Sequence, residues 1–212
     1  MDRNPERVVA DAELVFTAEE QALIKSYTEM YPVAQGAIMR TLWVAQEKFG
    51  WLPPEVIQLC AETVGIPYAT AYGVSTFYTQ YYKEKQGAYV IDVCTCFSCQ
   101  LCGGYDMLHH LESTLGIHDG ETTADGMFTV KGVECLGACG SAPMAQITNG
   151  PYVHHLDKNK LDQLIANLRN GKMPAFTSVT LPQDEDEMGG NRRSDVGQTE
   201  NYQTPYSAEH FD

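Results

Sequence analysis

Residues 93–104 read VCTCFSCQLCGG, with cysteines at 94, 96, 99 and 102. Residues 133–143 read VECLGACGSAP and add Cys135 and Cys139. What precedes and follows these two runs decides the fold. The first is fed by AYVIDVC (88–94), a short apolar run that reads as a strand. Gly103-Gly104 close the cysteine loop, and a helix follows near Tyr105–Leu115. MFTVKGVEC (127–135) is a second strand, which leads into the second pair. MAQITNG (144–150) with YVHHL (152–156) reads as a hairpin turning at Asn149-Gly150, and Leu161–Leu168 as a closing helix. Pro143 is expected to start a strand, where its missing N–H is tolerated. Strand, helix, two or three strands and helix is the order of a thioredoxin-like α/β sandwich. Its parallel crossover should be right-handed.

Upstream the periodicity is helical. TAEEQALIKSYTEMY (17–31) opens with Thr17 and has Glu20 three residues later, a capping box. Ile38, Leu42, Ala45 and Phe49 fall on one face of a helix ended by Gly50 and Pro53-Pro54. Glu55–Val64 reads as a third helix and Ala69–Tyr82 as a fourth, its aromatic run Phe77–Tyr82 taken as a packing face. The chain thus divides into an N-terminal extension (1–16), a helical bundle (17–84), the sandwich (85–172) and a tail (173–212).

Acidic residues outnumber basic ones 28 to 14. A surface that negative repels a phosphate backbone, so nucleic acid is excluded as a partner. No apolar run reaches the roughly 18–20 residues of a membrane helix, and the N-terminus lacks the apolar core of a secretory signal, so direct membrane insertion is not expected. Six of seven cysteines lie between 94 and 139, and the total is odd. That clustering points to metal or redox work in a reducing compartment rather than to a disulfide framework.

Three chemistries compete for the thiols. A thioredoxin-type dithiol would use Cys96 and Cys99, a C-x-x-C, and leaves Cys135 and Cys139 without a role. Structural zinc is held by four cysteines in tight knuckles. An iron–sulfur cluster also takes four thiolates. Gly103, Gly104, Gly137 and Gly140 favour the cluster, because such loops can turn backbone N–H groups toward an anion. The pairs His109-His110 and His154-His155 are not expected to share a metal ion, since adjacent side chains point in different directions. The chain has no G-x-G-x-x-G fingerprint, no Walker sequence and no nucleophile with an evident base.

VCTCFSCQL keeps C-x₄-C at Cys94 and Cys99, and VECLGACGSAPMAQI keeps C-x₃-C at Cys135 and Cys139. With YPVAQGAIMRTLWVAQEKFGWLPPEVI, VSTFYTQYY and GETTADGMFTV, these stretches resemble the family of 24 kDa 2Fe–2S subunits in the NADH-dehydrogenase module of respiratory complex I, from about residue 17 to 172. The resemblance implies a helical bundle followed by a thioredoxin-like 2Fe–2S ferredoxin domain. By position it implies Cys94, Cys99, Cys135 and Cys139 as ligands of one 2Fe–2S cluster, the first two on one iron and the last two on the other. Cys96 and Cys102 depart from the family's spacing and, with Cys60, are expected to be bystanders. The resemblance further implies single-electron exchange with FMN in a larger NADH-binding subunit, other peripheral-arm subunits as partners, no NADH turnover by this chain alone, and a cytoplasmic place at the inner face of the cell membrane through the complex. The same module serves NAD-linked hydrogenases and formate dehydrogenases. A standalone thiol–disulfide oxidoreductase and a zinc-stabilised binding module are the readings from other classes.

Residues 183–212 carry eight carboxylates against Arg192 and Arg193, yet also Tyr202, Tyr206 and Phe211. The tail is expected to be mobile in the isolated chain; one reading leaves it without a partner, and the sharper one has it order as a strap across a neighbouring subunit.

Overall fold

The computed structural model describes residues 14–178. The N-terminal extension to residue 13 and the acidic tail beyond 178, with its expected strap, lie outside the described residues.

Four helices come first: α1 (Ala18–Glu29), α2 (Ile38–Phe49), α3 (Pro54–Val64) and α4 (Tyr68–Phe77). The capping box of α1 is present: Glu20 N–H donates to Thr17 Oγ1 at 3.2 Å and Thr17 N–H to Glu20 Oε2 at 2.7 Å. The apolar stripe of α2 is buried as its spacing requires, and Gly50 caps that helix in the left-handed region at φ 84°. Ile24, Leu42, Ile57, Val64 and Tyr81 meet in one core. Each such side chain contributes about 1.5–3 kcal/mol by leaving water.

The fourth helix ends at Phe77 and not at Tyr82, because Tyr78 is extended. Bonds from α2 outweigh continuation of the helix. Gln46 Oε1 accepts the Tyr82 N–H at 2.6 Å and Gln46 Nε2 donates to Gln80 O at 2.9 Å. Tyr81 Oη reaches Met39 O at 2.9 Å. The aromatic run is therefore not one packing face: Tyr81 and Tyr82 are buried while Phe77 is 78% exposed.

The second half is built on β1 (Tyr89–Cys94), β2 (Phe128–Val133), β3 (Ala145–Ile147), β4 (Tyr152–Val153) and β5 (Thr177–Ser178), in the sheet order β2-β1-β3-β4-β5. β1 runs parallel to β2 and antiparallel to β3, and β3, β4 and β5 alternate. Between β1 and β2 lie α5 (Phe97–Leu101) and α6 (Gly104–Leu115); α7 (Lys158–Arg169) follows β4. Ile91, Val93, Phe128, Val130 and Ile147 from one sheet face pack with Leu108 and Leu111 of α6 and Leu161, Leu164 and Leu168 of α7. The other face carries Asp92 and Lys131, paired across β1 and β2, and Lys131 Nζ sits 4.7 Å above the Tyr82 ring. Asn149 Nδ2 donates to Tyr82 Oη at 2.8 Å, which joins the hairpin to the segment that trails α4.

Several local readings shift. The cysteine loop contains a short helix, α5. α7 starts at Lys158, not Leu161, because Asp157 caps it by accepting the Lys160 N–H at 2.7 Å. The hairpin turns on Thr148 and Asn149, both at positive φ, with Gly150 N–H closing on Ile147 O at 2.8 Å. β5 lies past residue 172, in the stretch assigned to the tail, where it completes the sheet against β4. Pro143 precedes β3 rather than starting it, and follows a cis Ala142–Pro143 bond. Among the described residues no helix is long and apolar enough to cross a membrane.

Candidate iron–sulfur centre

Parallel pairing of β1 and β2 brings their C-terminal ends to the same edge of the sheet, with Cys94 opposite Val133. Both cysteine loops therefore leave from one place. Thr95 N–H and Oγ1 both donate to Val133 O, at 2.9 and 3.1 Å, which fastens the loops at their roots. β3 runs the opposite way, so the residue before it, Met144, arrives at that edge as well. Met144 O accepts the Cys94 N–H at 3.0 Å.

The thiols fall into two pairs. Cys94 and Cys99 are buried, at 2% and 1% exposure, in a small cluster with Ala138 and Met144, and their side chains hydrogen-bond to each other. Cys135 and Cys139 are exposed, with sulfurs 3.4 Å apart. Cys139 feels the charge of Cys94, and its side chain bonds Ser98 on α5. Burial pushes the Cys99 thiol up to about 12, the neighbouring Cys94 adds to this, and the Met144 N–H at its sulfur opposes it. Cys135 is held below the usual thiol value, first by the Gly137 N–H 3.4 Å from its sulfur and then by Cys139, while Cys135 in turn raises Cys139. Gly137 adopts φ 81°, a left-handed conformation that costs other residues about 1–2 kcal/mol.

The remaining cysteines differ. Cys96 sits half-buried at the residue before α5, and its side chain bonds Cys135, so it is closer to the centre than a bystander role suggests. Cys102 is exposed at the end of α5. Cys60 is remote in the helical core, where burial pushes its thiol up to about 12. Gly104 packs against the carbonyls of Cys94 and Cys99, and no larger residue has room there.

This donor set suits a 2Fe–2S cluster, in which each of two metal ions takes two protein thiolates. Among the described residues no three Cys, His, Asp or Glu side chains converge on one point, as a single ion with three protein ligands needs. The Met144 and Gly137 N–H groups at Cys99 and Cys135 suit an anionic cluster, whose added electron they would stabilise. Spacing alone did not disclose Met144 or Ser98, because each arrives from a separate element. The histidine pairs take separate partners: His110 Nε2 lies 2.8 Å from Asp162, His154 Nδ1 2.6 Å from Ser141 Oγ, and the His155 ring bonds the Ala142 main chain.

Known proteins resemble this chain in sequence and in fold. A NADH-quinone oxidoreductase subunit of Rhizobium meliloti is 42% identical over 146 residues, covering 69% of this chain and 86% of that protein. NADH-quinone oxidoreductase subunit 2 of Thermus thermophilus is 38% identical over 169 residues, 79% of this chain and 92% of that one. The solved NAD+-reducing [NiFe]-hydrogenase in its H2-reduced state shares the fold, with a TM-score of 0.55 at 22% identity over 66% of this chain and 25% of that chain. Residues 24–169 match the family model described as thioredoxin-like [2Fe-2S] ferredoxin, and the chain belongs to that family.

Proposed function

We propose that this chain is the electron-transfer subunit of an NADH–quinone oxidoreductase. It holds one 2Fe–2S cluster through Cys94, Cys99, Cys135 and Cys139, and exchanges single electrons with FMN in a larger partner subunit that binds NADH. The observation that carries the reading is the meeting of two thiol pairs at one sheet edge, with backbone N–H groups at Cys99 and Cys135. The relatives named as subunits of NADH-quinone oxidoreductase support the choice of complex. When bound, the cluster supplies a one-electron redox site. The protein's part is to bury one thiol pair, leave the other near the surface, and direct N–H groups at sulfur so that added negative charge is offset. The chain acts with other peripheral subunits at the inner face of the cell membrane and carries no NADH or flavin site itself.

The test is serine substitution in the full chain. Serine at Cys94, Cys99, Cys135 or Cys139 should each lower iron content and the visible absorbance of the cluster sharply, whereas alanine at Cys102 or Cys60 leaves both. Full iron in Cys94→Ser, or NADH oxidation by the isolated chain at a rate comparable to a flavoenzyme, would overturn the reading. Purification from its source should bring down a larger flavin-containing subunit.

A further inference from the structure

Behind the Cys135–Cys139 loop stand two buried polar side chains with no role in the reading above, Ser141 and His154. Ser141 Oγ lies 2.6 Å from His154 Nδ1 and 3.1 Å from Ala138 O. The Ser141 N–H also donates to Ala138 O, at 3.0 Å, and Ser141 O accepts the His155 N–H at 3.0 Å. Ser141 is thus tied backward into the loop and across to the chain that leaves β4, by main chain and side chain together. His154 is itself held: Lys160 Nζ, on α7, donates to its carbonyl at 3.1 Å, and the Tyr152 ring meets it edge-on at 5.8 Å.

Ala138 is the residue between Gly137, whose N–H points at Cys135 Sγ, and Cys139. A hydroxyl has one proton to donate. If Ser141 gives it to Ala138 O, His154 must donate from Nδ1. If Ser141 gives it to His154, Ala138 O keeps only its main-chain donor. His154 therefore sets how tightly the Ala138–Cys139 peptide is held, two peptide units after the one whose Gly137 N–H faces sulfur. Orientation matters there because an N–H dipole stabilises added charge only while it stays aimed at the sulfur.

We propose that His154, acting through Ser141, is a positioning residue that holds the Cys135–Cys139 loop with the Gly137 N–H toward the Cys135 sulfur and so raises the reduction potential of the centre. This rests on the cluster reading above. Without the pair the loop relaxes, the reduced form loses stabilisation, and the midpoint moves to a more negative value. A pair that merely satisfies two buried polar groups would affect stability and leave the midpoint alone.

The experiment uses the full chain carrying its cluster, with iron content and visible absorption measured beside an EPR-monitored redox titration. His154→Leu and Ser141→Ala should keep wild-type iron content and shift the midpoint negatively. The double variant, which removes both halves of the Ser141–His154 bond, should shift no further than the larger single change, since the two act as one unit. His154→Asn, which keeps a polar atom near the Nδ1 position, should return the midpoint toward wild type. A double variant that folds with full iron and an unchanged midpoint overturns the inference and leaves the cluster reading intact. Additive shifts in the double variant also overturn it. A wild-type chain that takes up no cluster overturns the reading beneath it.

Discussion

Gly104 is where the backbone of the centre is most tightly closed, and replacing it with alanine tests whether that closure matters. A Cβ there would stand 2.8 Å from Cys94 O, 2.9 Å from Cys99 O and 3.0 Å from the Cys99 carbonyl carbon. Ordinary non-bonded contact needs roughly 3.4 Å, so these atoms must retreat by about 0.5 Å. All three are main-chain atoms of the two buried cysteines, so no side chain can swing away to relieve the overlap. Overpacking of this kind costs about 1–3 kcal/mol. In a chain of this size that lowers the melting temperature by about 2–12 °C. Helix propensity works the other way, because alanine is favoured over glycine by up to about 1 kcal/mol within a helix. The sign of the change therefore tells the two effects apart. Thermal unfolding followed by circular dichroism, with iron content measured in parallel, should show Gly104→Ala melting lower and holding less iron. Gly140→Ala, where a Cβ meets nothing within 4 Å, is the control and should keep its iron. A Gly104→Ala protein with full iron that melts at or above wild type would refute the reasoning.

Gln46→Leu removes the partner of the buried Tyr82 N–H, while Gln80 O keeps the Asn149 amide at 3.0 Å. One orphaned donor costs about 1–3 kcal/mol, so chemical denaturation should show a loss of that size with the cluster's absorbance retained; an unchanged midpoint would count against the bond's role in ending α4. Burial raises the Glu20 carboxyl, but bonds from Lys48, at 2.6 Å, and Thr17 outweigh it and hold the group below its usual value. A depressed folded pKa gives stability that is present above the unfolded value of 4.5 and is lost as pH falls through the folded one. Glu20→Gln should therefore be less stable by about 0.5–1 kcal/mol at pH 7, with the difference shrinking as pH falls below 4.5; a gap that does not change with pH would show that charge is not its source.

Interactions between near neighbours in the chain were legible in the sequence. Thr17 and Glu20 announce the start of α1 because a capping box closes within three residues. The stripe on α2 and the apolar run of β1 carry their own period, and C-x₄-C beside C-x₃-C, through family resemblance, named the four cysteines that the fold gathers at one edge. Partners that arrive from afar were not legible. Nothing in Phe77–Tyr82 says that Gln46 and Met39 will take Tyr82 and Tyr81 out of the helix. Nothing near Cys135 says that Cys96 will lie against it, or that His154 will reach Ser141 behind the loop. Thr177–Ser178 is too short to read as a strand until β4 offers it an edge. Residue type and spacing thus determined most of the elements, and family resemblance picked out the four cysteines proposed as iron ligands. Which thiols face each other was decided only when β1 took its place between a parallel and an antiparallel neighbour, because burying one face of the sheet fixes the register and so brings both loops to a common edge.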